Sequence, residues 1–191
     1  MKLRLVAALV SAALLSACGL NSVPTSEENA KAKWAEVQNQ YQRRADLIPN
    51  LVSTVRAAGA QEKDILVQVT QARASASQVR VSDADLTDPA KVQAYQRAQA
   101  GVTLSLQRLQ EAYPELRSQA NYTTLMSQLE GTENRITIAR NDYNAAVQAY
   151  NTRIRTFPDA IGARIFYGAK PLTPFQATTP GAERAPQVNF G

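Results

Sequence analysis

Apolar residues recur at alternating steps of three and four along most of this chain, which is the spacing of helices that pack against other helices. The longest run extends from Tyr122 to Phe157. Its positions are Tyr122, Leu125, Leu129, Thr132, Ile136, Ala139, Tyr143, Ala146, Tyr150, Arg153 and Phe157. Because no Gly or Pro interrupts the run after Gly131, it predicts one helix of roughly 40 residues. A helix of that length needs partner helices.

The first partner is predicted as a helix from about Glu27 to Ala58. Its seam comprises Trp34, Val37, Tyr41, Arg44, Ile48, Leu51 and Val55. Thr25 is expected to cap this helix together with Glu28. Pro49 is expected to kink it, because proline offers no backbone N–H to the helix. Gly59 is a suitable stop.

Two shorter helices follow. The first is predicted over residues 62–79, and its heptad register does not slip across Gly59. The two segments therefore form either a tight hairpin or one long bent helix, and we favour the hairpin. Residues 80–89 are predicted as a loop that ends in Asp88-Pro89, the cap and first turn of the next helix. The seam of that helix comprises Val92, Tyr95, Gln99, Val102, Leu106, Leu109 and Tyr113. The helix ends at Tyr113-Pro114, where Pro114 is expected to open the last helix.

These segments predict an all-α fold, an up-and-down antiparallel four-helix bundle with long first and last helices, over residues 27–166. Short connections between the helices favour antiparallel neighbours. Residues 167–191 are rich in Pro and are predicted as an extended, mobile tail. A second interpretation is that Val188 and Phe190 dock into a groove of this chain or of a partner.

The amino terminus has the pattern of a secretory signal. Lys2 and Arg4 precede an apolar run of about ten residues, too short to span a bilayer as a helix. Leu15-Ser16-Ala17-Cys18 follows and resembles the lipobox of bacterial lipoproteins. The resemblance implies cleavage before Cys18 and acylation of that residue. Residues 1–17 are then a signal peptide and residues 18–26 a lipidated tether.

Acylation would attach the mature chain to a membrane, since each buried methylene contributes about 0.8 kcal/mol. The alternatives are an ordinary signal peptide with an incidental Cys, or an uncleaved anchor. The residue after Cys18 is Gly19 rather than Asp, which by analogy with enterobacterial sorting favours the outer membrane over the inner one. We expect the protein to face the periplasm.

Composition argues against several classes of function. The chain has 21 Lys and Arg against 16 Asp and Glu, a single Cys and no His. No basic block with interleaved aromatic residues is present, so no nucleic-acid partner is expected. Glu130 and Glu133 have the i, i+3 spacing of a di-iron site but lack the accompanying His. We therefore expect no cofactor, no small-molecule substrate and no enzymatic activity.

A polar series lies close to the apolar seams. Its members are Arg43, Arg44, Asp46 and Asn50 on the first helix, and Glu130, Glu133, Asn134, Arg140, Asn141, Asn144 and Asn151 on the last. Because buried charge must be paired, we interpret the series as a polar network that sets the register of these two helices. The alternatives are a binding site around the predicted kink, or an unusual enzyme that uses Asp46, Glu130 or Glu133. Tyr143-Asn144 recurs one heptad later as Tyr150-Asn151.

Five segments along the chain form a recognisable set. They are Y-Q-R-R-A-D-L-I-P-N-L-V at residues 41–52, Y-P-E-L-R-S at 113–118, L-E-G-T-E-N-R-I at 129–136, A-R-N-D-Y-N at 139–144 and Y-N-T-R-I-R-T-F-P at 150–158. In this order they resemble the LemA family. The resemblance implies a helical bundle on an extracytoplasmic, membrane-attached bacterial protein, and it implies no reaction. Many relatives look anchored by an uncleaved transmembrane helix, whereas this chain carries a lipobox.

These observations favour a lipid-anchored, non-enzymatic scaffold or interaction protein of the bacterial envelope. It is expected to contact the membrane through Cys18 and to hold an unknown envelope protein partner near it. A bundle that acts on the lipid surface itself, through curvature or assembly, is the alternative.

Overall fold

The computed structural model describes residues 21–59 and 63–176. These residues form five α-helices, which are α1 (Ser22–Ala57), α2 (Lys63–Gln78), α3 (Pro89–Ala112), α4 (Ala120–Arg153) and α5 (Asp159–Ile165). Two short 3₁₀ helices, Asp83–Thr87 and Pro114–Ser118, precede α3 and α4. The described residues contain no strand, and the predicted all-α bundle is confirmed. Cys18, Val188 and Phe190 lie outside the described residues.

The two longest helices of the bundle, α1 and α4, pack against each other along their length. They have 36 and 34 residues, which corresponds to a length of about 50 Å for each at 1.5 Å per residue. Lys33 of α1 forms an ion pair with Asp142 of α4, and Arg44 forms one with Glu133. Residue numbers rise along one helix as they fall along the other, so the helices are antiparallel.

The first two helices form the hairpin that we favoured. Gly59 follows α1 with a φ of +85°, a conformation that glycine adopts at little cost and that ends many helices. Arg73 of α2 donates a hydrogen bond to the backbone oxygen of Ala45 in α1. These two residues lie equally far from Gly59 along the chain, which is the pairing of antiparallel neighbours.

The apolar core has two parts along the bundle axis, a proximal cluster beside the first half of α1 and a distal cluster beside its second half. The distal cluster, where α1, α2, α3 and α4 all contribute, includes Ile48, Leu51, Val69, Leu106 and Leu129. The proximal cluster includes Trp34, Tyr95, Tyr143, Leu86, Leu172 and Phe175. Because α2 has only 16 residues, it does not accompany the first half of α1. Its place in the proximal cluster is taken by the first 3₁₀ helix and by the carboxyl-terminal tail.

The predicted start of α1 was wrong. The helix begins at Ser22, so residues 22–26 of the expected tether are helical, and Thr25 is not the cap. Its hydroxyl instead donates to the backbone oxygen of Asn21 at 2.7 Å. Pro24 is tolerated because first-turn N–H groups have no partner within the helix. Val23 is buried in the proximal cluster, which favours this earlier start.

The predicted bounds of the last helix were also wrong at both ends. Pro114 opens a 3₁₀ helix rather than α4, and this turn buries Leu116. At the other end α4 stops at Arg153, so Arg153 and Phe157 leave the predicted seam and are exposed. The residue before a proline is disfavoured in the helical conformation, and Pro158 therefore excludes Phe157 from the helix.

Candidate functional site

Arg44 lies at the junction of the two core clusters and is only 1% exposed. On α1 it stands between Tyr41 of the proximal cluster and Ile48 of the distal cluster. A charge at this depth must be paired with other polar groups to be tolerated. The residues that pair with it form a polar layer across the bundle, consisting of Arg44, Gln99, Thr103 and Glu133.

The guanidinium of Arg44 binds α3 and α4 at the same time. Its Nη1 donates to Glu133 Oε1 at 2.7 Å and to Thr103 Oγ1 at 2.9 Å. Its Nη2 donates to the side-chain oxygen of Gln99 at 2.7 Å and to the backbone oxygen of the same residue at 3.0 Å. The guanidinium carbon also lies 5.0 Å from the centre of the Tyr41 ring. One side chain of α1 thus fixes the axial position of two other helices.

Two clefts meet this polar layer. They have volumes of about 760 and 530 Å³, and Tyr41, Arg44 and Gln99 line both. Burial raises the pKa of Tyr41, although the positive charges of Arg140 and Arg44 oppose the shift. Burial also raises the pKa of Tyr95. Both shifts move these hydroxyls further from ionisation at neutral pH, so they are poor candidates for a general base.

A second site is the groove that holds the tail, formed by α1 and α4 around Trp34, Tyr143, Asn144 and Asn151. The tail segment, residues 172–176, runs along α4 in the opposite direction. Asn151 pairs with Leu172 and Asn144 with Phe175. Seven residues of helix rise about 10.5 Å, and three residues of extended chain span about 10 Å. The tail segment is therefore extended, as predicted, but it is docked rather than mobile.

Each asparagine binds the tail segment through both edges of its amide. Asn144 Nδ2 donates to the Phe175 backbone oxygen at 3.1 Å, and its Oδ1 accepts the Phe175 N–H at 2.8 Å. Asn151 makes the same pair of bonds with Leu172, both at 2.8 Å. The heptad recurrence of Tyr-Asn along α4 thus places two identical backbone clamps on one face of the helix.

Further contacts complete the hold on the tail segment. The Tyr143 hydroxyl donates to the Thr173 backbone oxygen at 2.9 Å, and the Thr173 N–H donates to the Leu86 backbone oxygen at 2.8 Å. The ring of Phe175 lies 5.5 Å from that of Trp34 and 5.6 Å from that of Tyr143. These polar bonds go to the backbone of the segment, and Leu172 and Phe175 are its buried apolar residues.

The sequence profile of the LemA family matches residues 33–190, which include the polar layer and the groove. The chain belongs to the LemA family. Among curated proteins it is similar to the magnetosome proteins MamQ 1 and MamQ 2 of Paramagnetospirillum magneticum (strain AMB-1). It is 29% identical to each over 157 residues, which cover 72% of this chain. The chain spans only 58% of the length of these relatives.

In this LemA-family chain the predicted site residues divide into three groups. Arg44 and Glu133 meet in the polar layer. Arg140, Asn144 and Asn151 hold the tail segment, and Arg140 Nη2 donates to the Gln176 backbone oxygen at 3.2 Å. The remaining predicted residues are exposed and take no part in the bonds of either site. They are Arg43, Asp46, Asn50, Glu130, Asn134 and Asn141. Asp46 accepts a hydrogen bond from Gln42 within α1.

Several residues of the two sites were not predicted. Gln99 and Thr103 of α3 belong to the polar layer, and nothing in their local sequence marks them as partners of Arg44. Asn151 was predicted as a member of the polar series, but its bonds to the tail segment were not, and the Tyr-Asn recurrence was the signal that could have identified them. Among the described residues, no group of three acidic or sulfur-bearing side chains is arranged to hold a metal ion. No helix within residues 21–59 and 63–176 combines the length and hydropathy of a membrane span.

Proposed function

We propose that this LemA-family protein is a lipid-anchored, non-enzymatic interaction module on the periplasmic side of the bacterial envelope. The observation that carries the proposal is the groove, where α4 holds an extended polypeptide by its backbone. Binding an extended segment through main-chain hydrogen bonds, with pockets for a few side chains, is a general mode of peptide recognition. The occupant in this structure is the chain's own tail segment.

The buried polar groups support a binding role rather than catalysis. The guanidinium of Arg44 makes four hydrogen bonds to acceptors on α3 and α4, and its ion-pair partner Glu133 is part of the same layer. Asn144 and Asn151 use both edges of their amides on the tail segment. These side chains are positioned to hold helices and backbone together.

The anchor is part of the proposal. The resemblance of Leu15-Ser16-Ala17-Cys18 to a lipobox supports acylation of Cys18, and Gly19 supports sorting to the outer membrane. The similarity to magnetosome proteins supports a membrane-associated location. Only residues 19 and 20 separate Cys18 from the first described residue, so the acyl chains would hold the bundle close to the lipid surface.

The test uses the full chain in cells, as wild type and as Cys18→Ala. We expect the wild type in the membrane fraction, and we expect Cys18→Ala to remain unprocessed and to lose its stable attachment. Crosslinking of intact cells should then trap the same protein partner repeatedly with the wild type. Crosslinking that traps no protein at all, although the protein is abundant in the membrane fraction, would overturn the interaction role.

A further inference from the structure

The short helix α5 buries its small residues and exposes its large apolar ones, which is unusual for a helix that serves only to cover the core. Gly162 and Ala163 are its buried residues, whereas Ile161 and Ile165, one turn apart on a single face, are exposed. Burial of a large aliphatic side chain stabilises a fold by about 1.5–3 kcal/mol, so a helix normally turns such residues inward. This helix packs its small residues against the bundle and presents its large ones outward.

Three further exposed aromatic residues flank α5 in the sequence. We call Phe157, Ile161, Ile165, Phe166 and Tyr167 the α5 patch. Phe157 is 82% exposed and Ile165 is 69% exposed. The other large hydrophobic side chains that are exposed in the described residues are Val67, Leu104 and Ile138, each on a different helix. A concentration of this kind is typical of a binding surface, whereas isolated apolar residues need no explanation.

The α5 patch lies at the end of the bundle from which the amino-terminal segment departs. Ser22 Oγ, in the first turn of α1, donates to Asp159 Oδ2 of α5 at 2.7 Å. Arg153 at the end of α4 donates to the Ser22 backbone oxygen at 3.1 Å. The three residue steps from Cys18 to Asn21 reach at most about 11 Å. An acylated Cys18 would therefore keep this end of the bundle next to the bilayer.

The charges around the α5 patch suit an anionic lipid surface. Arg155, Arg164 and Lys170 are exposed in or beside it. Both arginines line an open cleft of about 790 Å³ together with Ile161 and Ile165. Apolar side chains flanked by cations are the composition that binds the headgroup region of anionic membranes. The acidic residue of α5, Asp159, is already engaged by Ser22 and Arg153.

We propose that the α5 patch is a membrane-docking surface, which inserts its apolar side chains into the headgroup region of the anionic bilayer to which Cys18 is attached. The proposal rests on the proposed function in one respect, which is that acylation brings this end to the membrane. Docking at a second point would fix the orientation of the bundle, so that α1 and α4 project from the surface with the distal cluster farthest from it.

The test places a photoreactive amino acid in the full chain in cells, at position 165 or at position 138. Ile138 is the matched control, because it is also an isoleucine and is 61% exposed, but it lies on α4 outside the patch. After irradiation we expect lipid adducts at position 165, several-fold more abundant than at position 138. Adducts at position 165 to another protein or to a second copy of this chain would overturn the proposal, as would equal labelling at both positions.

The same samples separate this proposal from the proposed function. The intact mass of the unirradiated protein shows whether Cys18 is acylated. An acylated protein without lipid adducts at position 165 would contradict the docking surface and leave the anchor standing. An unacylated protein that still forms these adducts would contradict the anchor and support docking through the α5 patch alone.

Discussion

Arg73 of α2 donates a hydrogen bond from Nε to the backbone oxygen of Ala45 in α1, at 2.8 Å. In an uninterrupted helix that oxygen accepts the N–H of the residue four positions later. In α1 this residue is Pro49, which has no N–H to donate. The second helix of the hairpin therefore supplies the donor that the first helix lacks, and α1 continues through Pro49 to Ala57.

This relationship predicts an energetic coupling between Arg73 and Pro49. Arg73→Met should lower the free energy of unfolding by about 1–2 kcal/mol, because it leaves the Ala45 oxygen without its donor. In a Pro49→Ala background the N–H is restored, and the same substitution should cost less. Urea unfolding of the wild type, both single variants and the double variant measures the coupling. Additive effects would contradict the assigned role of Arg73.

The polar layer predicts a difference between two neighbouring glutamates of α4. Glu133→Gln removes the charge that faces the buried guanidinium of Arg44 and should cost about 1.5–3 kcal/mol of stability. Glu130→Gln is the matched control, since Glu130 lies one turn away on the same helix and is exposed, and it should change stability by less than about 0.5 kcal/mol. Thermal unfolding of both variants checks this, and equal effects would contradict the layer.

The groove predicts that the tail segment can be released without unfolding the bundle. In an Asn144→Ala, Asn151→Ala variant the Phe175 and Leu172 amides lose their acceptors, so their hydrogen exchange should accelerate strongly. Amides in the distal cluster should keep their protection. Gln148→Ala, at an exposed position between the two asparagines, is the control and should leave the tail segment protected. Unchanged exchange in the double variant would show that the asparagine clamps do not hold the tail segment.

The buried tyrosines predict that stability falls at alkaline pH. Burial raises the pKa of Tyr143 above the value of about 10 that it has in the unfolded chain. As the pH rises, the Tyr143 hydroxyl therefore loses its proton in the unfolded state before it does so in the folded state. The stabilisation that the buried, protonated hydroxyl provides is complete below about pH 10 and is lost as the pH rises further. Tyr143→Phe should lower stability by about 1 kcal/mol at pH 8, since it loses the bond to Thr173, and should flatten the decline between about pH 9 and pH 11. Denaturant midpoints across this range measure it, and an unchanged slope would contradict the prediction.

The seams could be predicted because the residues that pack between helices recur at a regular spacing in the sequence. All seven seam positions from Trp34 to Val55 are buried, including Arg44, whose place on the seam indicated a buried charge. The polar partners on α3 could not be predicted in the same way. Gln99 was placed on the seam by its spacing, but its bond to Arg44 depends on the axial offset of α1 and α3, which no local pattern records.

The fate of the tail could not be predicted from its own composition. A Pro-rich segment with few apolar residues is typical of a mobile end. Leu172 and Phe175 are nevertheless buried, because α2 is too short to cover Trp34 and Tyr143. The docking of the tail depends on the shortness of α2 and on the repeated asparagines of α4, and both features are far from the tail in sequence. The exposure of the α5 patch could not be predicted either, because an apolar stretch beside a bundle is ordinarily buried.

The most direct test of the account is the intact mass of the protein extracted from cell membranes. An anchored interaction module predicts a chain that begins at Cys18 and carries a diacylglyceryl group on the sulfur and a third acyl chain on the new amine. A chain that retains residues 1–17, or that carries an unmodified Cys18, would contradict the lipid anchor on which the proposed function depends.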